Sequence, residues 1–271
     1  MKKMLQVFLA IGLGLYLLIC GVLYFKQEAL LFYPQKLPAA YRFDFIVGTY
    51  AEYPVVAADG TQLSGVLFKV GSAKGLVFFL HGNGGSLAGW GDMALTYNRV
   101  GYDVFMLDYR GYGKSEGQIT SQAQLLGDVD TAFKQVAARY LASKSRVIVV
   151  GYSLGTGPAT WLASRYPLDM LLLHAPYCSM ADMAGHTVPI WPILPNCLLR
   201  YPLPTNEWIR QVKAPIVLFH GDRDGVIPYS SSVRLKALLK PNDQFITING
   251  SGHNDLLDHP QYQQVIATLL K

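Results

Sequence analysis

The chain has 271 residues, 15% of them charged and 51% hydrophobic, with a formal net charge of +5 and three cysteines. This composition excludes a disordered or collagen-like chain and a disulfide-built miniprotein, and it argues against a multi-cysteine zinc site. Part of the positive excess is Lys2 and Lys3, which precede an apolar run, and no Lys/Arg block exists elsewhere, so no nucleic-acid partner is expected.

Residues 4–25 are apolar apart from Gln6 and three glycines. As a helix this run is about 33 Å long, enough to cross a hydrocarbon core of about 30 Å. It is longer than a signal-peptide core, Leu23-Tyr24-Phe25 is a poor cleavage site, and Ile19 before Cys20 does not suit a lipoprotein cut. No polar face marks it as a buried helix. A retained single-span membrane anchor over residues 1–28 is therefore expected, ahead of a cleaved or lipidated signal. Lys2 and Lys3 favour a cytoplasmic N-terminus, with the body on the periplasmic or lumenal side, although Lys26 and Lys36 follow the run. Residues 29–34 either lie at the membrane surface or pack on the body.

The body, 29–271, reads as one catalytic domain. Residues 47–56 and 62–70 flank Asp59-Gly60, a hairpin signal. Residues 75–80, 103–107, 146–150, 170–173, 215–219 and 244–248 are mostly continuous apolar runs, as strands covered on both faces are. Helical spacing marks 120–141, 154–166, 229–239 and 256–270. This alternation predicts an α/β fold with a mostly parallel central sheet and helices on both faces, whose ligands sit beyond the carboxyl ends of the strands.

The pattern Gly-x-Ser-x-Gly occurs twice, at Gly113 to Gly117 and at Gly151 to Gly155. A nucleophile elbow needs its serine on a tight turn directly between a strand and a helix. Ser153 meets that demand, whereas a loop separates Ser115 from its strand. The tail Gly113-Lys114-Ser115 is no phosphate-binding loop, because Asp108 stands where the first glycine is required. A serine nucleophile needs a histidine base, and the base needs a carboxylate to fix its tautomer. His253, in a Gly-rich loop after the last strand, follows every candidate acid. Asp224 is the preferred acid and Asp222 the alternative. His81, His174 and His220 end strands but do not suit the Ser–acid–His order, His186 lies in a Pro-rich insertion, and His259 precedes Pro260 inside the last helical region. Backbone N–H groups of Leu154 and of Asn83, or alternatively Gly84, are the expected oxyanion-hole donors.

Together, Leu80-His81-Gly82-Asn83-Gly84-Gly85, Asp108-Tyr109-Arg110-Gly111-Tyr112-Gly113, Gly151-Tyr152-Ser153-Leu154-Gly155, His220-Gly221-Asp222-Arg223-Asp224 and Gly252-His253 resemble the α/β-hydrolase superfamily over residues 50–271. The second block, and the anchor followed by Leu31-Phe32-Tyr33-Pro34, resemble membrane-anchored serine hydrolases that include lysophospholipases and protein depalmitoylases. The resemblance implies Ser153, Asp224 and His253 as a triad. The cysteine-rich N-terminus of the depalmitoylases is absent, with only Cys20 nearby. A haloalkane dehalogenase is excluded, since that chemistry needs aspartate at position 153.

Residues 175–210 carry six prolines with Trp191 and Trp208, and read as a small lid at the substrate edge. Cys178 and Cys197 fall here and are candidates for a disulfide outside the cytoplasm. The expectation is a membrane-tethered serine hydrolase of carboxylic esters or thioesters, acting on a small-molecule or lipid acyl ester without metal or cofactor. A serine peptidase or amidase and a catalytically silent binding protein are the alternatives.

Overall fold

A computed structural model describes residues 1–46, 48–187 and 196–271. Eight strands build the central sheet: β1 (Tyr50–Val56), β2 (Gln62–Phe68), β3 (Gly75–Leu80), β4 (Asp103–Leu107), β5 (Arg146–Tyr152), β6 (Met170–His174), β7 (Ile216–Gly221) and β8 (Gln244–Ile248). Their spatial order is β1-β2-β4-β3-β5-β6-β7-β8. β2 pairs antiparallel with β1 and β4, and every other pairing is parallel. Pro54 is tolerated in β1 because that strand is an edge.

The continuous apolar runs split between two faces because successive strand side chains alternate. Leu76, Phe78 and Leu80 of β3 pack with Leu125, Val129 and Phe133 of α3 (Gln122–Ala142). Val77 and Phe79 pack on the opposite face with Tyr97 and with Tyr262 and Ile266 of α7 (Pro260–Leu269). The remaining labelled helices are α1 (Lys2–Phe25), α2 (Gln27–Leu31), α4 (Thr156–Ala163), α5 (Met180–Thr187) and α6 (Tyr229–Lys236). α7 begins four residues later than its apolar pattern. Pro260 suits a first helical turn and His259 accepts from the N–H of Gln261, so Leu256 and Leu257 are buried in the preceding turn instead.

α1 has no buried residue and a mean hydropathy of 2.4, and it is long and apolar enough to cross a membrane. Residues 29–34 pack on the body. Gln27 donates to the carbonyl of Leu198 at 2.6 Å and accepts from the N–H of Arg200 at 2.8 Å. Glu28 pairs with Arg200 and accepts from the Tyr201 hydroxyl. Tyr33 and Pro34 then pair in parallel with Gly84 and Gly85. Of the expected lid, residues 188–195, including Pro189, Trp191, Pro192 and Pro195, lie outside the described residues, as does Val47 of the expected first strand. All three cysteines are free thiols. Cys178 is not joined to Cys197: it is buried with its sulfur against the carbonyl of Ser231, while Cys197 is exposed.

Candidate active site

Parallel register brings the strand ends to one edge: Leu80 lies beside Gly151, Tyr152 beside His174, and His174 beside Phe219. Chain leaving β5 turns at once into the helical turn Ser153–Gly155 and then α4. The turn forces Ser153 to φ 51°, left-handed backbone that costs a non-glycine residue about 1–3 kcal/mol. Its flanking glycines answer to crowding. A Cβ on Gly151 would lie 2.6 Å from the Gly155 carbonyl oxygen, and one on Gly155 would lie 2.1 Å from the Leu80 carbonyl oxygen.

Ser153, His253 and Asp224 form one hydrogen-bonded row. His253 Nδ1 is 2.7 Å from Asp224 Oδ2, and its Nε2 is 3.1 Å from Ser153 Oγ. A carboxylate only accepts, so Nδ1 carries the proton and Nε2 is free to accept from the serine. Both oxygens of Asp224 are used. Oδ1 accepts from the N–H groups of Val226 and Ile227, and Oδ2 also lies 3.2 Å from His220 Nε2. Burial alone would raise the Asp224 carboxyl, but hydrogen bonds from His220 and His253 outweigh it and hold the group well below the usual carboxylate range. Asp222 faces elsewhere and accepts from the N–H of Gly250, pinning the turn after β8. Asp255 accepts from the N–H of Gly252, and the Tyr152 hydroxyl donates to the carbonyl of His253. These bonds fix the loop that carries His253.

The loop after β3 lies against the serine: a Cβ on Gly82 would sit 3.5 Å from that of Ser153. Asn83 Oδ1 accepts from the Tyr33 N–H and the Tyr112 hydroxyl, and Tyr109 donates to the carbonyl of His81. The Asp108-to-Gly113 block thus buttresses this loop. Its Arg110 is buried and bonded to Asp59 and Asp128. Asn83, Ser153 and Leu154 line one cavity of about 220 Å³ with Leu30 and Leu31 of α2, Met180 and Met183 of α5, and Tyr177 and Ile227.

The other candidates fall outside this row. Ser115 is buried, donating to the Asp108 carbonyl and accepting from the N–H of Ser64. His81 is buried beside Asp108. His174 stacks on Phe219 at 5.2 Å, and burial pushes its imidazole down to about 3, so it is neutral. His186 lies near Asp182 on α5. Among the described residues no group of three or more His, Cys, Asp or Glu side chains is arranged to hold a metal ion. His220, Tyr152 and the Leu30–Tyr33 stretch also belong to this edge. His220 stands at a strand end and was visible as such, whereas Tyr152 and α2 carry no local signal of their partners.

Eight-stranded topology, elbow and row define the class as an α/β-hydrolase. The chain belongs to the serine aminopeptidase S33 family of that superfamily, whose model matches residues 71–206. It is similar to the uncharacterized protein Rv2307c of Mycobacterium tuberculosis, 29% identical over 245 residues, covering 88% of this chain and 86% of that one. It is also similar to alpha/beta hydrolase domain-containing protein 17B of Xenopus laevis, 31% identical over 195 residues, covering 70% of this chain and 64% of the relative. Among solved structures, the Pyrococcus furiosus esterase Pf2001 shares the fold with a TM-score of 0.68 at 19% identity, covering 89% of this chain and 97% of that one. The chain is a hydrolase by family and fold.

Proposed function

We propose that this chain is a membrane-tethered serine hydrolase that cleaves carboxylic esters or thioesters of acyl chains. In this reading residues 1–28 are the anchor, 29–271 the catalytic domain and 175–210 a lid. The observation that carries it is the Ser153–His253–Asp224 row at a positive-φ elbow opening on an apolar cavity. His253 Nε2 takes the Ser153 proton as Oγ bonds to the substrate carbonyl carbon. Asp224 stabilises the imidazolium, and the N–H groups of Leu154 and Asn83 receive the developing oxyanion. The carbon–oxygen or carbon–sulfur bond then breaks, and His253 passes its proton to the departing alcohol or thiol. Water, deprotonated by His253, attacks the acyl-enzyme and releases the acid, restoring Ser153.

The family's description raises a second reading, an aminopeptidase with the same row. Such an enzyme holds its substrate's terminal ammonium on a carboxylate, and among the described residues the cavity lining carries no Asp or Glu. The names of the relatives support a hydrolase and that of the Pyrococcus protein an esterase. Lys2 and Lys3 support a cytoplasmic N-terminus with the body on the far side.

Fluorophosphonate labelling of the membrane fraction tests the reading. Wild type and Ser115→Ala are expected to label and Ser153→Ala to stay unlabelled. A matched ester and anilide are expected to differ, with the ester cleaved faster. An unlabelled, folded wild type would favour the silent binding protein, and a preferred anilide the peptidase.

A further inference from the structure

The cavity at Ser153 has a neighbour on the side of α2 and α5. A second cavity of about 130 Å³ adjoins it, and the two share Leu30, Leu31, Met180, Met183 and Thr187 as walls. The far cavity runs between α2, α5 and Leu198 to reach Leu23, in the last turn of α1. Its polar groups are already occupied. The amide nitrogen of Gln27 donates to the carbonyls of Leu23 and Leu198, its amide oxygen accepts from Arg200, and the Thr187 hydroxyl donates to the carbonyl of Met183. What remains facing the space is leucine, methionine and alanine surface. Two methionines line the shared stretch, and unbranched thioether side chains adapt to a flexible occupant.

Resting on the serine-hydrolase reading above, we propose that these two cavities join to form the acyl-chain site. The alkyl chain of the substrate lies along α2 with its end at Leu23, and its carbonyl reaches Ser153 from the side of the apolar helix. The occupant is an alkyl chain because, among the described residues, the polar side chains of the far cavity, Gln27 and Thr187, are already bonded. Direction follows from the linings: one cavity has Ser153 in its wall, and the other has Leu23, at the turn where α1 leaves the body. The anchor's own end thereby becomes a wall of the substrate site, and a chain lying beside α1 in a bilayer passes to Ser153 without crossing water.

The test uses the full-length protein in detergent micelles and a dodecyl fluorophosphonate carrying a diazirine at the end of its chain. Ser153 Oγ bonds to phosphorus as fluoride leaves, which anchors the probe, and irradiation then crosslinks the chain end. Crosslinks to the peptides containing Leu23 or Leu198 are the expected result. Ser153 labelled with crosslinks elsewhere would overturn the channel and leave the hydrolase reading standing. Failure to label Ser153 would overturn both. Met183→Trp, which fills the shared stretch, supplies a second measurement. It is expected to lower the ratio of kcat/KM for a dodecanoyl ester to that for a butanoyl ester by about tenfold or more. An unchanged ratio in the folded variant would count against the channel.

Discussion

Asp224 accepts through both carboxylate oxygens, from two backbone N–H groups and two histidines, while Asp222 spends itself on the N–H of Gly250. The two aspartates are therefore not interchangeable. Asp224→Asn is expected to lower kcat about 10⁴-fold, because an amide nitrogen facing His253 favours the wrong tautomer. Asp222→Asn is expected to change kcat far less. The native carboxyl of Asp224 is held below its unfolded value of about 3.9, so its contribution to stability is fully present above that pH. It is lost as pH falls through the lower native value. Thermal unfolding followed from pH 7 to pH 2 should show a steeper loss below about pH 4 in wild type than in Asp224→Asn. Parallel curves would remove Asp224 as the source of that acid sensitivity.

The elbow shows how a strand–turn–helix unit constrains its residues beyond local propensity. β5 is rich in valine and isoleucine and forms a strand readily, but the turn after it brings backbone within contact distance of backbone. Gly151→Ala puts a methyl group against the Gly155 carbonyl, the Ala159 side chain and the Thr156 backbone. We expect a loss of about 1–3 kcal/mol in urea unfolding, together with reduced kcat as the serine shifts. Unchanged stability and turnover would mean that the turn relaxes freely. The loop after β3 depends on other elements in the same way. Tyr33 and Tyr112, from a segment before β1 and a loop after β4, meet on one side-chain oxygen of Asn83.

At the scale of the whole molecule, both faces of the sheet are covered, while α1 buries none of its residues. A helix of that length and hydropathy is able to cross a bilayer, so membrane retention is the property to measure. The full chain is expected to stay in the pellet after an alkaline carbonate wash and to be released by detergent. A variant lacking residues 1–25 should move to the soluble fraction. Wild type released by carbonate alone would show that α1 does not span a bilayer.

Strand runs, helical spacing and the position of each motif just past a strand end were legible along the chain, because buried strands leave continuous apolar runs and parallel topology sends every such end to one edge. That legibility extends to Ser153, Asp224 and His253, each marked by local turn chemistry. Turn residues favour Asp224 over Asp222 in that loop, and the fold adds where the backbone aims each carboxylate. Folding also bonded His220 to Asp224, brought the hydroxyl of Tyr152 to the carbonyl of His253, kept Cys178 from Cys197 and laid α2 against Ser153. Those contacts join residues far apart in sequence. Periodicity and turn residues report only a residue's own few neighbours, whereas long-range hydrogen bonds are decided by how the layers close on one another.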